Sequence, residues 1–493
     1  MYFIGYDIGS SFIKAALVNG ETGALVATVK YPEQEMPISA AHPGWAEQDP
    51  SKWWQHVIEC TQDLLQSSGV PGSEIKAIGL AYQMHGLVLI DKQQRVLRPS
   101  IIWCDSRAVQ IGQTAWESLG KENCLQHLLN SPGNFTASKL QWVHQHEPRI
   151  MDQVHKIMLP GDYIALCMTG EATTTVSGLS EGMFWDFKQE DIAYFLLDYY
   201  GIHPGVLADQ VPTFGRQGVL HRQAAEALGL PAGTPVTYRA GDQPNNALAL
   251  NVLEPGEVAA TGGTSGVVYG VSSEPVYDLK SRVNGFAHVN HHARQPRIGV
   301  LLCINGAGIQ YSWLRRVTGN NLVAYDELEA RAQQIPPGAA GICVLPFGNG
   351  AERMFGDLVI GAHWHNLDYN RHESTHLLRA GLEGVAFAMV YGMDILRGIG
   401  IPTEVIRVGN DNLFRSEIFS TTISPLTGAT IELYETTGAI GAARGAGFGL
   451  GHYPSLKQAF SDQRPVKIVE PDYTTAAYLE AYGRWLTLLE KYI

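Results

Sequence analysis

No run of uncharged apolar residues in this chain reaches the ~18 needed to cross a bilayer, so a membrane partner is not expected. Basic runs are missing too, and the net charge is -13. A nucleic-acid partner needs clustered Lys and Arg against its phosphates, so that class is excluded as well. Cysteine is scarce. The six residues lie scattered at 60, 104, 124, 167, 303 and 343, none in a CxxC pair. Most sit in apolar runs and read as buried, reduced thiols, which points to the cytoplasm. Met1–Asp7 has no basic segment and meets an acid early, which argues against a signal peptide. The two commonest phosphate signatures, GxxxxGK[ST] and GxGxxG, are absent. Two histidine clusters, His288-Val289-Asn290-His291-His292 and His363-Trp364-His365, lack CxxC or HExxH spacing, so no zinc site is expected.

Glycine, by contrast, is plentiful: 53 residues in a chain of 493. The length implies two domains, since single cores stop growing at roughly 250–300 residues. The chain opens with three β-like runs, Tyr2–Tyr6, Phe12–Val18 and Ala24–Lys30, parted by turns at Asp7–Ser11 and Asn19–Gly23. This pattern predicts an antiparallel meander. A helix over Trp53–Ser67, with Ser51 as its cap, leads into a strand at Ile75–Gln83. Alternating strands and helices then predict an α/β fold. A second glycine-rich hairpin, Glu257–Thr261 and Val267–Val271 around Gly262–Gly266, suggests a second domain of related build, with the link near Leu248–Pro255. Phe184–Phe187 reads as core, and the closing helix carries Tyr478, Tyr482, Trp485, Leu486 and Leu489 on one packing face.

Both hairpins suit phosphate. In Asp7-Ile8-Gly9-Ser10-Ser11-Phe12-Ile13-Lys14, Gly9 permits close backbone approach, Ser10 and Ser11 bring donors, and Lys14 adds a cation. Asp7 cannot bind phosphate itself but can hold a hydrated Mg²⁺. Thr264 and Ser265 repeat the pattern in the second loop. In Ala240–Leu248, Asp242 follows an apolar strand and precedes a helix with Pro244 in its first turn. Such a carboxylate can accept the proton of a hydroxyl attacking a γ-phosphate. The structural alternatives are an ordinary hairpin turn and a helix-capping Asp.

This ordered set resembles the FGGY family of carbohydrate kinases across nearly the whole chain. Asp7–Leu17 and Gly262–Gly266 are similar to its phosphate motifs, Ala240–Leu248 to its catalytic-base segment, and Val408–Thr430 to its adenosine motif. Asn134–Trp142 and His372–Phe387 resemble its two signatures. Gln83-Met84-His85-Gly86 and Trp103-Cys104-Asp105-Ser106-Arg107 are similar to segments of the members that act on xylulose. Three stretches depart from the pattern: Gly409-Asn410-Asp411-Asn412 replaces a run of glycines, Ser10-Ser11 replaces a Gly-Thr type pair, and Thr173–Gly182 differs from the xylulose-kinase stretch.

The resemblance implies two actin-like (ribonuclease H-like) α/β domains, 1–248 and 249–493, with the active-site cleft between them. It implies ATP-dependent phosphorylation of a ketose, D-xylulose first, with ATP and Mg²⁺ as cofactors. Asp242 would be the catalytic base. Met84, His85, Trp103, Asp105, Arg107 and Gln243 would bind sugar. Gly9, Ser10, Ser11, Lys14, Gly263, Thr264, Gly306, Gly409, Asn410 and Asn412 would bind ATP. Asp7 and Asp242 would hold the metal through water. The implied partners are a small-molecule sugar and ATP, with a homodimer as the assembly considered. The alternatives are a kinase for another sugar or polyol (ribulose, fuculose, gluconate, glycerol) and a non-catalytic sugar- or ATP-binding module.

Overall fold

The computed structural model describes residues 1–319, 322–472 and 476–493. The chain divides into two α/β units. The first comprises Met1–Asn251, Gly285–Ile298 and Thr436–Gln463; the second comprises Val252–Asn284, Gly299–Glu435 and Arg464–Ile493. By contact, the second half of the chain returns twice to the first unit.

In the first unit the opening meander forms as the sequence predicts. Tyr2–Ile8, Ile13–Asn19 and Leu25–Tyr31 pair antiparallel. The strands Ile75–Tyr82 and Val236–Gly241 add in parallel on the other side, giving the order Val236–Gly241, Ile75–Tyr82, Tyr2–Ile8, Ile13–Asn19, Leu25–Tyr31. Alternation along Tyr2–Ile8 splits its side chains between two faces. Ile4, Tyr6 and Ile8 pack with Trp53, Val57, Cys60 and Leu64 of the helix Pro50–Ser68. Phe3 packs the other way with Ala16, Val18 and Ala77 against Ala439, Ala443 and Ala446. That second cover is the helix Gly438–Gly449, brought back from the far end of the chain. Its small side chains let the backbones nearly touch: a Cβ on Gly5 would lie 2.0 Å from the Ala439 carbonyl oxygen, and one on Gly79 2.0 Å from that of Ala442.

The helix Pro50–Ser68 starts earlier than expected. Its cap is Asp49, not Ser51: the Asp49 carboxylate accepts the Ser51 N–H at 2.9 Å, and Pro50 fills the first helical position, where no N–H is needed.

The second unit repeats the plan. Val258–Gly262 pairs antiparallel with Gly266–Ser272 and parallel with Val405–Gly409, which pairs parallel with Thr430–Tyr434. The strand Ile298–Ile304, all but its first residue in this unit, lies beside Gly266–Ser272. The second hairpin thus occupies the place in its sheet that the opening hairpin occupies in the first. The core helix Ser374–Gly398 is buried along Leu378–Val390, so the second signature is mainly a packing element. The closing helix Ala476–Leu489 buries Tyr478, Ala481, Trp485, Leu488 and Leu489, with the Trp485 indole N–H donating to the Val344 carbonyl at 2.9 Å.

All six cysteines are free thiols, but they are not uniformly buried: Cys104 is exposed, and Cys167 and Cys303 are half-buried. Phe184, Trp185 and Phe187 are core, as expected. No helix among the described residues is long and apolar enough to cross a membrane.

Candidate active site

Three adjacent parallel strands of the first unit end together. Asp7 lies opposite Ala81, and Ala81 opposite Ala240. The strand ends therefore deliver Asp7, Gln83 and Gly241-Asp242 to one edge of the sheet, where carboxylates and ligands of open α/β sheets gather. Asp242 is the first residue of the helix Asp242–Ala249, and Gly241 takes the capping position. A capping role is thus not the reason for an acid at 242.

Both carboxyls keep partial exposure while protein surrounds them closely. Burial pushes the Asp242 carboxyl up to about 7, the charge of Asp7 adds to this, and hydrogen bonding from Gln243 offsets part of it. Burial also raises Asp7, against the pull of Lys14, its cross-strand partner on the hairpin. The Asp7 carboxylate lies against the start of the helix Gly438–Gly449: a Cβ on Gly438 would be 3.0 Å from Asp7 Oδ2 and 3.1 Å from Asn246 Oδ1. A side chain at 438 would crowd the carboxylate where it sits by the start of that helix.

In the hairpin loop the Gly9 N–H is spent on the Phe12 carbonyl at 3.0 Å, so Gly9 supplies space, and the serines supply donors. The Ser10 hydroxyl accepts the Trp103 indole N–H at 3.2 Å, and the Ser10 carbonyl accepts Gln48 Nε2 at 2.7 Å. Trp103 is half-exposed beside this loop.

His85 sits at φ 61°, a left-handed conformation uncommon for a residue with a side chain. The surroundings fix it on all sides. Its N–H donates to Glu181 Oε2 at 2.9 Å, and Nδ1 lies 3.0 Å from the Glu181 carbonyl. Its own carbonyl accepts Lys139 Nζ at 2.9 Å, and that ammonium also reaches the Ile102 carbonyl at 3.0 Å. The imidazole packs edge-on to Phe135, 4.7 Å between centroids, and against Phe286 at 5.5 Å. Strain of this kind persists only where the surroundings over-determine it, and it marks functional sites. Burial pulls the Lys139 ammonium down to about 8, opposed by Asp105. Met84 is buried next to Gly241, where a Cβ would come 2.6 Å from Met84 Cγ.

Asp105 and Arg107 face each other. Asp105 is fully buried; its carboxylate accepts the N–H groups of Ala46 at 2.5 Å and Arg107 at 2.9 Å, plus the Arg107 guanidinium at 2.6 Å. Arg107 in turn pairs with Glu47 at 2.7 Å and lies 3.7 Å over the Trp45 ring. The ion pair braces the loop that carries Trp103.

The second unit holds its own cavity, about 290 Å³, lined by Gly262, Gly263 and Thr264 of the second hairpin loop, Gly308, Tyr311 and Ser312 of the helix Gly308–Gly319, Tyr325 and Glu329, and Asp411–Leu413 with Arg415. The helix is tied to the loop by Gly308 N–H to the Gly263 carbonyl at 2.9 Å and Ile309 N–H to that of Thr264 at 3.2 Å. Of the expected nucleotide residues here, Gly263, Thr264 and Asn412 line this cavity. Gly306, Gly409 and Asn410 are not among its lining residues. Gly306 is needed for packing, since a Cβ would meet the Pro346 carbonyl at 1.7 Å, and the Asn410 amide donates to Glu435. Asn412 caps the turn Leu413–Arg415 by accepting the Phe414 N–H at 3.1 Å, which accounts for one side chain that replaces glycine. Tyr311, Tyr325 and Glu329 had no sequence signal, because they come from helices lying outside every motif.

The histidine clusters have other partners: His365 Nε2 lies 3.0 Å from the Tyr492 hydroxyl, and His291 Nε2 3.4 Å from Glu190. Among the described residues no group of three or more His, Cys, Asp or Glu is arranged to hold a metal.

An α/β chain of two like-built units, with paired acids at the strand ends of one and a loop-lined cavity in the other, has the make-up of a phosphotransferase. Residues 2–249 match the N-terminal domain of the FGGY family of carbohydrate kinases. The chain is 33% identical over 450 residues to the xylulose kinase of Escherichia coli, covering 90% of this chain and 88% of that one. It is 28% identical over 499 residues to the L-xylulose/3-keto-L-gulonate kinase of the same organism, covering 99% and 96%. The crystal structure of xylulose kinase from Rhodospirillum rubrum superposes with a TM-score of 0.87 at 26% identity, covering 100% and 99%. The chain belongs to the FGGY family of carbohydrate kinases and has its actin-like two-domain fold. It is a sugar kinase, and membership implies ATP as the co-substrate.

Proposed function

We propose that the enzyme transfers the γ-phosphoryl group of ATP to D-xylulose, giving D-xylulose 5-phosphate and ADP. The observation that carries this reading is the juxtaposition, at neighbouring strand ends, of the pinned Met84-His85 loop with Asp242. The likeness to the xylulose kinase of Escherichia coli supports the choice of sugar. Sugar binding falls to the first unit, with Met84, His85, Trp103 and Gln243, and nucleotide binding to the second, with Gly263, Thr264 and Asn412. Asp242 takes the proton of the attacking hydroxyl as the new phosphorus–oxygen bond forms and the bond to ADP breaks. Its raised carboxyl suits a base that works near neutrality. Ser10, Ser11 and Lys14 supply donors and positive charge to the phosphates. Asp7 and Asp242 fit a Mg²⁺, because the charge of Asp7 raises the proton affinity of Asp242 and a divalent cation would relieve that repulsion. Bound through water, it would neutralise phosphate charge. A cytoplasmic location and a homodimer complete the proposal.

The test is ADP release across pentuloses, hexuloses and polyols. Turnover that depends on sugar and is highest with D-xylulose supports the proposal. Highest turnover with L-xylulose or 3-keto-L-gulonate moves the assignment to the sugars named for the second relative, and sugar-independent hydrolysis overturns the kinase reading.

A further inference from the structure

We infer that Lys139 is a positioning residue of the sugar site: its buried ammonium replaces a missing rung between the segments of His85 and Trp103, and so sets the spacing of those two side chains against a bound sugar. This rests on the reading of Met84, His85 and Trp103, all in the first unit, as sugar-binding residues. The two segments run antiparallel and pair at one point. Leu87 and Ile101 exchange both backbone hydrogen bonds, the Leu87 N–H to the Ile101 carbonyl at 2.9 Å and the Ile101 N–H to the Leu87 carbonyl at 3.3 Å. A regular ladder would make its next such exchange between His85 and Trp103. There, instead, the His85 N–H donates to Glu181 Oε2 at 2.9 Å, and the Ile102 N–H turns to the Ala46 carbonyl at 3.1 Å. The carbonyls of His85 and Ile102 both accept from Lys139 Nζ, at 2.9 Å and 3.0 Å.

Lysine is seldom fully buried unless its charge is held. Lys139 is 0% exposed, on the helix Thr136–His146, whose residues 136–140 are all buried. An ammonium has three donors to spend, and a hydrogen bond from a charged donor is roughly twice as strong as a neutral one. The Ile102 carbonyl belongs to the planar peptide unit from which Trp103 hangs, so holding that oxygen orients the residue that follows it. The His85 carbonyl fixes the other segment in the same way, at a residue in a left-handed conformation. Residues 134–139 grip both segments together: Phe135 packs edge-on to the His85 ring at 4.7 Å, and the Asn134 amide donates to the carbonyl of Asp105, two positions past Trp103. Lys139 therefore acts without touching the sugar, through the two peptide units that carry the residues proposed to touch it. Misplacing such groups by about 1 Å can cost roughly 10²-fold, so a loosened clamp shows first in the sugar kinetics.

The test measures KM for D-xylulose and for ATP when Lys139→Met is placed in the wild type and in His85→Ala/Trp103→Ala. Methionine keeps the apolar stem but donates nothing. In the wild type it should raise KM for the sugar about tenfold or more and leave KM for ATP unchanged. In His85→Ala/Trp103→Ala, where the side chains it positions are gone, it should add less than about twofold. If Lys139→Met raises the sugar KM by one common factor in both backgrounds, or lowers Tm while both Michaelis constants hold, the lysine serves the fold alone and the assignment fails. Should Lys139→Met not fold, as judged by circular dichroism, the same measurements are made on Lys139→Gln, whose amide nitrogen lies one bond nearer the backbone; an unchanged sugar KM there overturns the assignment. A His85→Ala/Trp103→Ala enzyme with the sugar KM of the wild type fails the sugar-site reading itself, and the role of Lys139 falls with it. Where a sugar other than D-xylulose is turned over, its KM decides Lys139 by the same ratios.

Discussion

Asp242 and Asp7 repel each other at the strand ends, and this has consequences for activity and for stability. As a base, Asp242 must be deprotonated, so kcat/KM for the sugar should fall roughly tenfold per pH unit below about 7. Asp242→Asn should still bind both ligands but lose roughly 10²–10⁴-fold in kcat, and its residual rate should lack that acidic limb. Stability runs the opposite way. The folded carboxyl keeps a proton that the unfolded chain has already released between pH 3.8 and about 7, so this residue's contribution falls as pH rises across that window and is level above it. Chemical denaturation of wild type and Asp242→Asn at pH 5 and pH 8 should show the variant losing less stability with rising pH. For His85, truncation to Ala should raise KM for the ketose and leave KM for ATP alone, with a loss of ~0.5–1.5 kcal/mol per hydrogen bond. Met84, His85, Asp7 and Asp242 were legible in the sequence because each sits in a short local motif at a strand end. The pinning of His85 by Glu181 and Lys139 was not: Lys139 lies in the Asn134–Trp142 segment, but it and Glu181 are 54 and 96 positions from His85, and contact over that separation leaves no local pattern. The charges of Asp105 and Arg107 are visible in a motif, whereas their burial and mutual pairing are not.

Among the elements, the helix Gly438–Gly449 was the least legible. Its residues read as a glycine-rich stretch, whereas Gly438, Gly441, Ala442, Gly445 and Gly449 recur at helical spacing and make a face flat enough for backbone contact. A Cβ at Gly441 would meet that of Ala249 at 2.6 Å, and one at Gly445 would meet the Tyr238 ring at 2.9 Å. The meander and the two hairpins were legible, because period-two alternation between glycine turns is a local signal. Two glycine substitutions separate the roles. Gly79→Ala puts a methyl 2.0 Å from the Ala442 carbonyl oxygen and should cost about 1–3 kcal/mol or more in stability. Gly483→Ala, inside the closing helix with nothing within 4 Å of the new methyl, should gain up to about 1 kcal/mol. Thermal melts of the two variants beside wild type check both signs. Equal losses in the two would mean that helix–sheet contact is not what glycine serves at 79.

For the molecule as a whole, the repeated sheet order gives each unit the same β-hairpin in the same place but different side chains around it. The first unit surrounds its hairpin with acids and a pinned histidine; the second surrounds its own with Tyr311, Tyr325 and Asn412. If one unit binds the sugar and the other the nucleotide, substitutions in the two should act on different Michaelis constants. Tyr325 makes the sharper probe. Its hydroxyl lies 3.1 Å from Ser312 Oγ, its ring packs on Tyr311 with centroids 5.5 Å apart, and it forms part of the cavity wall. An aromatic ring stacked on a base is worth about 1–3 kcal/mol, so Tyr325→Ala should raise KM for ATP by roughly 5- to 150-fold while KM for the sugar stays put. His85→Ala should give the mirror image. Because the two residues belong to different units, the double variant should show the product of the two effects. A Tyr325→Ala enzyme whose sugar KM rises as far as its ATP KM would mean that the cavity serves both ligands, and the division of labour between the units would have to be given up.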